Sequence, residues 1–370
     1  MARKIINYLI FHYHFDKPAG TERALYNLLE YLSIDRSNQI TLILAGSNRN
    51  LVFDVDKLPI KIEWLDVELI SDASKQDVIK YYYQIYSRLK KNLNGKIYSE
   101  PSAVITTNVI IGYLFYRLKF NFRIDNMQIV SCEHFAYKIT SKFTDFVRNL
   151  YYKRINVVML TKHDTELVVK KFKPKKCICI PNALPFIPKS YNKNENNVIL
   201  AIGRLTYQKG FDLLLNSFSL INNKFPDWTL KIVGDDFGDK YKLEKLILSR
   251  NIRNVELLPS TDDIESFYRE ATFFVLSSRF EGLPMVLIEA MGFGLPIVAF
   301  DCPTGPSDVV DETNGFLVEN GNELMFAESM EKLISNRNLL IEKSKGSEEK
   351  IKLYLKSEIN LKWDKLFESI

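Results

Sequence analysis

Cysteine is scarce: Cys132, Cys177, Cys179 and Cys302 are the four in 370 residues, too few and too scattered for a disulfide framework. Cys177 and Cys179 have neither a matching pair nor a nearby histidine, which argues against a zinc site and fits a reducing cytoplasm. The opening "MARKIINYLIFHYHFD" lacks a small-residue cleavage site after its apolar run, so a first β-strand is expected there rather than a signal peptide. The longest weakly polar run, "AVITTNVIIGYLFYRL" from Ala103, is interrupted by Thr, Asn and Gly and is too short to span a bilayer. A soluble, cytoplasmic protein is the expectation. Between Phe11 and Leu25 the only glycine is Gly20, so no G-x-G-x-x-G follows the first strand and a dinucleotide oxidoreductase is disfavoured. No G-x-x-x-x-G-K-[ST] occurs either, which disfavours a P-loop kinase. Internal repeats and low-complexity tracts are also missing.

What is present is ordinary globular material, 46% hydrophobic and 26% charged, long enough for two domains. The net charge of +5 conceals an asymmetry: residues 1–185 carry 28 Lys/Arg against 17 Asp/Glu, residues 186–370 carry 22 against 28. A basic front half suits an anionic partner such as membrane lipid, a phosphorylated acceptor or nucleic acid. Along that half, β-branched runs ("KIINYLIF", "ITLILA", "AVITT", "QIVSCEH", "NVVML", "CICIP") alternate with amphipathic stretches from Glu22, Gln76, Val109, Phe143 and Asp164. Such alternation predicts a parallel sheet covered on both faces. "PFIPKSYNKNENN" reads as a linker, after which the alternation restarts with "VILAIGRL", "WTLKIVG", "NVELLP", "TFFVLSS" and "PIVAF". The predicted class is α/β, two Rossmann-like doubly wound domains, residues 1–186 and 187–352, facing across a ligand-binding cleft. The tail "LYLKSEINLKWDKLFESI", residues 353–370, repeats Leu355, Ile359, Trp363 and Phe367 every four residues and reads as a helix returning to the first domain.

Two stretches carry chemistry. In "GRLTYQKGFDLLL", Arg204 leaves a strand end and Lys209 opens the next helix, so two cations and helix-terminal amides suit a diphosphate. A solvated loop with ordinary bases is the competing reading. In "RFEGLPMVLIEAMGFGLPIVAF", Glu281 precedes a helix that is apolar on every side, and Glu289 lies inside it. A carboxylate there is costly unless an internal arginine, backbone amides or a ligand's hydroxyls satisfy it. The acids of "GDDFGD" (Gly234–Asp239) read as turn and cap residues rather than a metal site. Two bases, amides near Leu283 to Val286 and two carboxylates together describe a nucleotide-diphosphate sugar.

The back half resembles the donor domain of retaining family-4 glycosyltransferases of the GT-B fold, in their bacterial surface-polysaccharide form. "GRLTYQKG", "IVGDD", "SSRFEGLPMVLIEAMGFGLPIVAFD" and "NGFLVENG" carry the likeness, strongly over residues 197 to 335 and loosely before. The resemblance implies that Arg204 and Lys209 hold the donor diphosphate and Glu281 contacts the transferred sugar. It further implies that Glu289 binds the ribose diol and that Gly282 and Leu283 line the pocket. "AGTER" would bring Gly20 near the diphosphate, and "CEHF" would bring His134 to the reacting sugar. Departures are the single glycine in "AGTER", Pro259 where glycine is usual, and Asp308 in "DCPTGPSDVV" where Glu is common.

The expected reaction moves a hexose or N-acetylhexosamine, most simply from a UDP-sugar, to a saccharide or polyprenyl-diphosphate-linked glycan. Front-face departure and attack account for retention, with Arg204, Lys209 and amides as counter-charge and no metal or other cofactor. Basic, aromatic stretches at Ile79–Lys96, Tyr116–Arg123 and Arg148–Val157 suit an anionic membrane, or simply helices with aromatic core faces. Nucleic acid is disfavoured, because stacking aromatics belong on an open sheet face. A sugar-nucleotide epimerase or glycoside phosphorylase would share the fold; a non-catalytic saccharide-binding module is the reading from another class.

Overall fold

A computed structural model describes residues 7–16, 20–68, 74–92, 101–134, 137, 140–187 and 196–370. The chain divides into two compact units, residues 1–180 with 360–370, and residues 181–359. The division falls at Pro181, six residues ahead of the boundary expected from composition; much of the expected linker lies outside the described residues.

The first unit runs β1 (Asn7–His12), α1 (Gly20–Ile34), β2 (Gln39–Leu44), β3 (Lys61–Trp64), α2 (Lys75–Asn92), β4 (Ser102–Thr106), α3 (Val109–Phe122), β5 (Met127–Glu133), α4 (Lys142–Tyr151), β6 (Asn156–Met159), α5 (Lys162–Phe172) and β7 (Lys176–Cys179). Its seven strands are all parallel, in the order β3-β2-β1-β4-β5-β6-β7. β4 and β6 are buried along their whole length, as strands covered on both faces must be. α2 turns Tyr81, Ile85 and Leu89 inward at four-residue spacing and leaves Ile79 and Tyr83 exposed. Asn108 and Thr161 cap α3 and α5 by accepting bonds from the first-turn amides. β3 went unforeseen because "KIEW" is short and half charged, as an edge strand can be.

Arg148 of α4 is fully buried, which is rare for a guanidinium and demands partners. Its Nε donates to Glu133 Oε1 at 3.0 Å, and Nη1 donates to Thr140 Oγ1 and Asp145 Oδ1, both at 2.7 Å. Tyr152 donates to the same Glu133 carboxylate. This ion network fixes the chain as it leaves β5.

The second unit runs β8 (Val198–Ile202), α6 (Phe211–Ser219), β9 (Thr229–Val233), α7 (Lys240–Ser249), β10 (Val255–Leu258), α8 (Ile264–Glu270), β11 (Phe273–Leu276), α9 (Met285–Gly292), β12 (Ile297–Asp301), α10 (Pro306–Val309), β13 (Gly315–Glu319), α11 (Glu323–Ser335) and α12 (Arg337–Lys350). The order β10-β9-β8-β11-β12-β13 is again wholly parallel. α13 (Lys356–Phe367) starts in this unit and ends in the first, where Phe367 packs edge-on against Tyr8 at 5.1 Å and Asp364 accepts from Tyr31. Ile359, Trp363, Leu366 and Phe367 are buried; Leu355, counted in the apolar repeat, precedes the helix and is exposed. These two parallel sheets with helices between strands are the expected Rossmann-like α/β architecture.

Candidate functional site

In the second sheet the chain order reverses between neighbours β8 and β11, and ligands of open parallel sheets bind at such a switch point, outside the carboxyl ends. The loops leaving β8 (203–210), β11 (277–284) and β12 (302–305) meet there. Gly210 makes one approach possible: its φ is +62°, and a Cβ would lie 2.2 Å from the Ser277 carbonyl oxygen. Ser277 Oγ donates to the Lys209 carbonyl at 2.9 Å, and the Arg279 amide donates to the Gln208 carbonyl at 2.8 Å. The Arg279 side chain forks onto Asp212 at 2.9 and 2.6 Å and covers the Tyr207 ring at 4.0 Å. On the other side, Glu281 N donates to Pro303 O and Thr304 N to Glu281 O, each at 2.9 Å. Arg279, read only as part of a motif, is thus the clamp that joins two of these loops.

Inside this frame Lys209 Nζ sits 2.7 Å from Glu281 Oε1, with the two side chains only 15% and 9% exposed. Ser278 Oγ donates to the same carboxylate oxygen at 2.6 Å. Glu281 lies close enough to the buried Cys302 that its charge adds to burial in pushing that thiol up to about 12. Next to Glu281 the chain turns into α9, whose cap residue is Pro284 rather than the first helical residue expected. The backbone amides of Gly282, Leu283, Met285 and Val286 donate to no acceptor among the described residues. Four unsatisfied N–H groups at a helix start form a partial positive charge suited to an anion. Arg204 is exposed, lies over the Phe237 ring at 5.4 Å and joins no ion pair among the described residues. Its charge is available.

Glu289 stands eight residues after Glu281 and is half-buried. Its Oε2 accepts from Tyr268 Oη of α8 at 2.8 Å, a partner not considered from sequence. Tyr268 is wholly buried, and burial with the Glu289 charge drives its phenol far above the ordinary range, so it stays a donor. The acids of "GDDFGD" close turns: Asp236 Oδ1 accepts from the amides of Gly238 and Lys240, and Asp235 from Ser260. Arg204, Lys209, Glu281, Gly282 and Leu283 all belong to the converging loops and Glu289 to the helix they lead into.

The other two expected residues belong to the first unit. Gly20 is the exposed first residue of α1, and a Cβ there would meet nothing within 4 Å; residues 17–19 of that loop lie outside the described residues. His134 immediately follows β5, and its Nδ1 is buried without a hydrogen-bond partner among the described residues. Burial first, and the neighbouring His12 second, lower its pKa to about 4, so it is neutral near pH 7. Sequence reasoning passed over its neighbours His12 and Glu22, which are 3.2 Å apart. A histidine closing the first strand was the available signal. Tyr268 and Ser278 gave none, being an aromatic in a short helix and a serine in a loop.

Two Rossmann-like units of this kind are the architecture of the GT-B class, and comparison with known proteins identifies the family. The chain belongs to the glycosyltransferases, as a relative matched over nearly its whole length shows; residues 185–351 match the family described as glycosyl transferases group 1. A Haemophilus influenzae protein named an uncharacterized glycosyltransferase is 31% identical over 336 residues, 89% of this chain and 90% of the relative. The Erwinia amylovora amylovoran biosynthesis glycosyltransferase AmsD is 33% identical over 223 residues, 57% of this chain and 62% of AmsD. Among solved structures, the lipopolysaccharide outer core galactosyltransferase WaaB superposes with a TM-score of 0.76 at 19% identity, covering 99% of this chain and 100% of WaaB. Anabaena Alr3699/HepE in complex with UDP superposes with a TM-score of 0.76 at 17% identity, covering 99% of this chain and 100% of that chain. At such identities the superpositions speak for the fold alone.

Proposed function

We propose that the protein transfers a hexose or N-acetylhexosamine, with retention, from a UDP-sugar to a saccharide or polyprenyl-diphosphate-linked glycan of a bacterial surface polysaccharide. The carrying observation is the Lys209–Glu281 pair beside four amides that have no acceptor among the described residues, at the sheet's switch point. Arg204, Lys209 and those amides offer the diphosphate its counter-charge, so departure of UDP needs no metal. Glu281, held by Lys209 and Ser278, is placed to accept hydroxyls of the transferred sugar, and Glu289, steadied by Tyr268, to accept those of the ribose. With Glu281 so engaged, front-face attack, in which the leaving phosphate takes the acceptor's proton, is favoured over a covalent glycosyl–enzyme. AmsD and WaaB, whose names place them in amylovoran and lipopolysaccharide synthesis, support the polysaccharide assignment. HepE, crystallised with UDP, supports the donor.

A peripheral seat on the inner face of the cytoplasmic membrane belongs to the same proposal. No helix among the described residues is long and apolar enough to cross a membrane. On α4, Phe143, Phe146 and Leu150 are exposed at i, i+3 and i+7, flanked by exposed Lys142, Lys153 and Arg154.

Incubation with a panel of nucleotide sugars, read by mass spectrometry for UDP release and sugar transfer, tests the reading. Epimer release or phosphate-dependent cleavage would point to the epimerase or phosphorylase alternatives. Glu289→Ala and Lys209→Ala should each abolish transfer; wild-type turnover in both would show the site to be misplaced.

A further inference from the structure

The loop after β9, "GDDFGD" over residues 234–239, lies at the carboxyl end of the second sheet beside the loop that leaves β8. Gly234 allows the approach: a Cβ there would lie 1.9 Å from the Gly203 carbonyl oxygen. Beyond it the backbones pair, the Leu205 amide donating to the Asp235 carbonyl at 2.9 Å and the Phe237 amide to the Leu205 carbonyl at 3.2 Å. A turn fixes the next residues, because Asp236 Oδ1 accepts from the amides of Gly238 and Lys240 and Gly238 takes a φ of +106°. Phe237 is therefore held on both sides by backbone bonds, yet it is 59% exposed. The guanidinium of Arg204 lies over its ring, 5.4 Å from the centre.

The acids of this loop are engaged elsewhere. Asp235 accepts from Ser260, Asp236 from the two amides of its turn, and Asp239 from Lys242 Nζ at 2.7 Å. The Arg204 side chain makes no ion pair and no hydrogen bond among the described residues; only its carbonyl accepts one, from Thr206 Oγ1. A carboxylate partner would have taken the in-plane N–H groups of the guanidinium and cancelled its charge. An aromatic ring attracts the cation without using those donors. A single exposed apolar residue needs no explanation by itself, but this one lies beneath a cation that has no charged partner among the described residues.

Resting on the glycosyltransferase reading, we propose that Phe237 is a positioning residue for the nucleotide diphosphate: its ring holds the Arg204 guanidinium in place and leaves every N–H donor of that group for the phosphates. The test measures the Kd for UDP, and kcat/KM for the nucleotide sugar that wild type uses, in Phe237→Leu, Phe237→Tyr, Arg204→Gln and the double variant Phe237→Leu/Arg204→Gln. Phe237→Leu keeps an apolar side chain without a π face and should bind UDP about two- to fivefold more weakly, the span of an exposed cation–π contact, with kcat/KM falling by a similar factor. Phe237→Tyr restores the ring and should match wild type. In the Arg204→Gln background the loss caused by Phe237→Leu should vanish, because the ring acts through the cation. An equal loss in both backgrounds overturns the proposal, since the ring would then touch the nucleotide itself or serve the fold alone. Wild-type affinity in Phe237→Leu, or a Phe237→Tyr as weak as Phe237→Leu, overturns it too; Phe237→Met carries the test should Phe237→Leu not fold. A wild type that neither binds UDP nor consumes any nucleotide sugar refutes the underlying reading instead, and an Arg204→Gln that binds UDP as tightly as wild type removes Arg204 from it; the role of Phe237 falls with either.

Discussion

Replacing Lys209 by Met leaves the Glu281 carboxylate in place with Ser278 as its remaining side-chain donor. Removing one member of a fully buried ion pair costs about 3–5 kcal/mol, because the surviving charge is left uncompensated. Lys209 and Glu281 retain 15% and 9% side-chain exposure, so residual hydration reduces the expected loss to about 2–3 kcal/mol. The double variant Lys209→Met/Glu281→Gln carries no orphan charge, and its amide oxygen still accepts from Ser278. It should recover most of the loss, giving a coupling energy of about 2 kcal/mol. Trp228 is the tryptophan of the second unit, the others being Trp64 and Trp363, so a Trp64→Phe/Trp363→Phe background lets urea unfolding of that unit be followed by fluorescence alone. Additive losses, or a Lys209→Met variant as stable as its parent, would refute the account of the pair. UDP affinity should fall by about tenfold or more in Lys209→Met, since the same ammonium is assigned to the diphosphate.

Arg148→Met strands Glu133 in the core of the first unit and should cost about 3–5 kcal/mol in urea unfolding, partly restored by Glu133→Gln. His134 takes up a proton near pH 6.5 when unfolded but only near about 4 when folded, so its contribution is complete above pH 6.5 and drains away as pH falls towards 4. Over that range wild type should lose up to about 3 kcal/mol relative to His134→Gln, measured by unfolding at each pH. Phe143→Ser/Phe146→Ser should weaken sedimentation with phosphatidylglycerol vesicles about tenfold or more while leaving hydrolysis of the nucleotide sugar unchanged.

The strand–helix alternation was legible because a strand buried on both faces must be an apolar run, and β4 and β6 are such runs. β3 and β13 escaped notice for the opposite reason: both sit at sheet edges, and "KIEW" and "GFLVE" include charged residues. At the site, Glu281 and Glu289 stood out as acids in apolar company, and Lys209 as a base at a strand's end. Their partners did not stand out. Tyr268 reaches Glu289 from another helix, Ser278 meets Glu281 across a turn, and Arg279 binds Asp212 across 67 positions. Such pairings follow from which strands neighbour one another, and strand order is not written in local periodicity. His12 illustrates the same limit, since its contact with Thr107 rests on β1 lying beside β4.

The central claim is that a nucleotide diphosphate is held by the loop after β8 and the start of α9. A crystal soaked with UDP tests it most directly. The account predicts diphosphate oxygens within hydrogen-bonding reach of the amides between Gly282 and Val286, with Lys209 and Arg204 turned towards them. UDP lodged elsewhere on the molecule, with those amides and cations untouched, would contradict it.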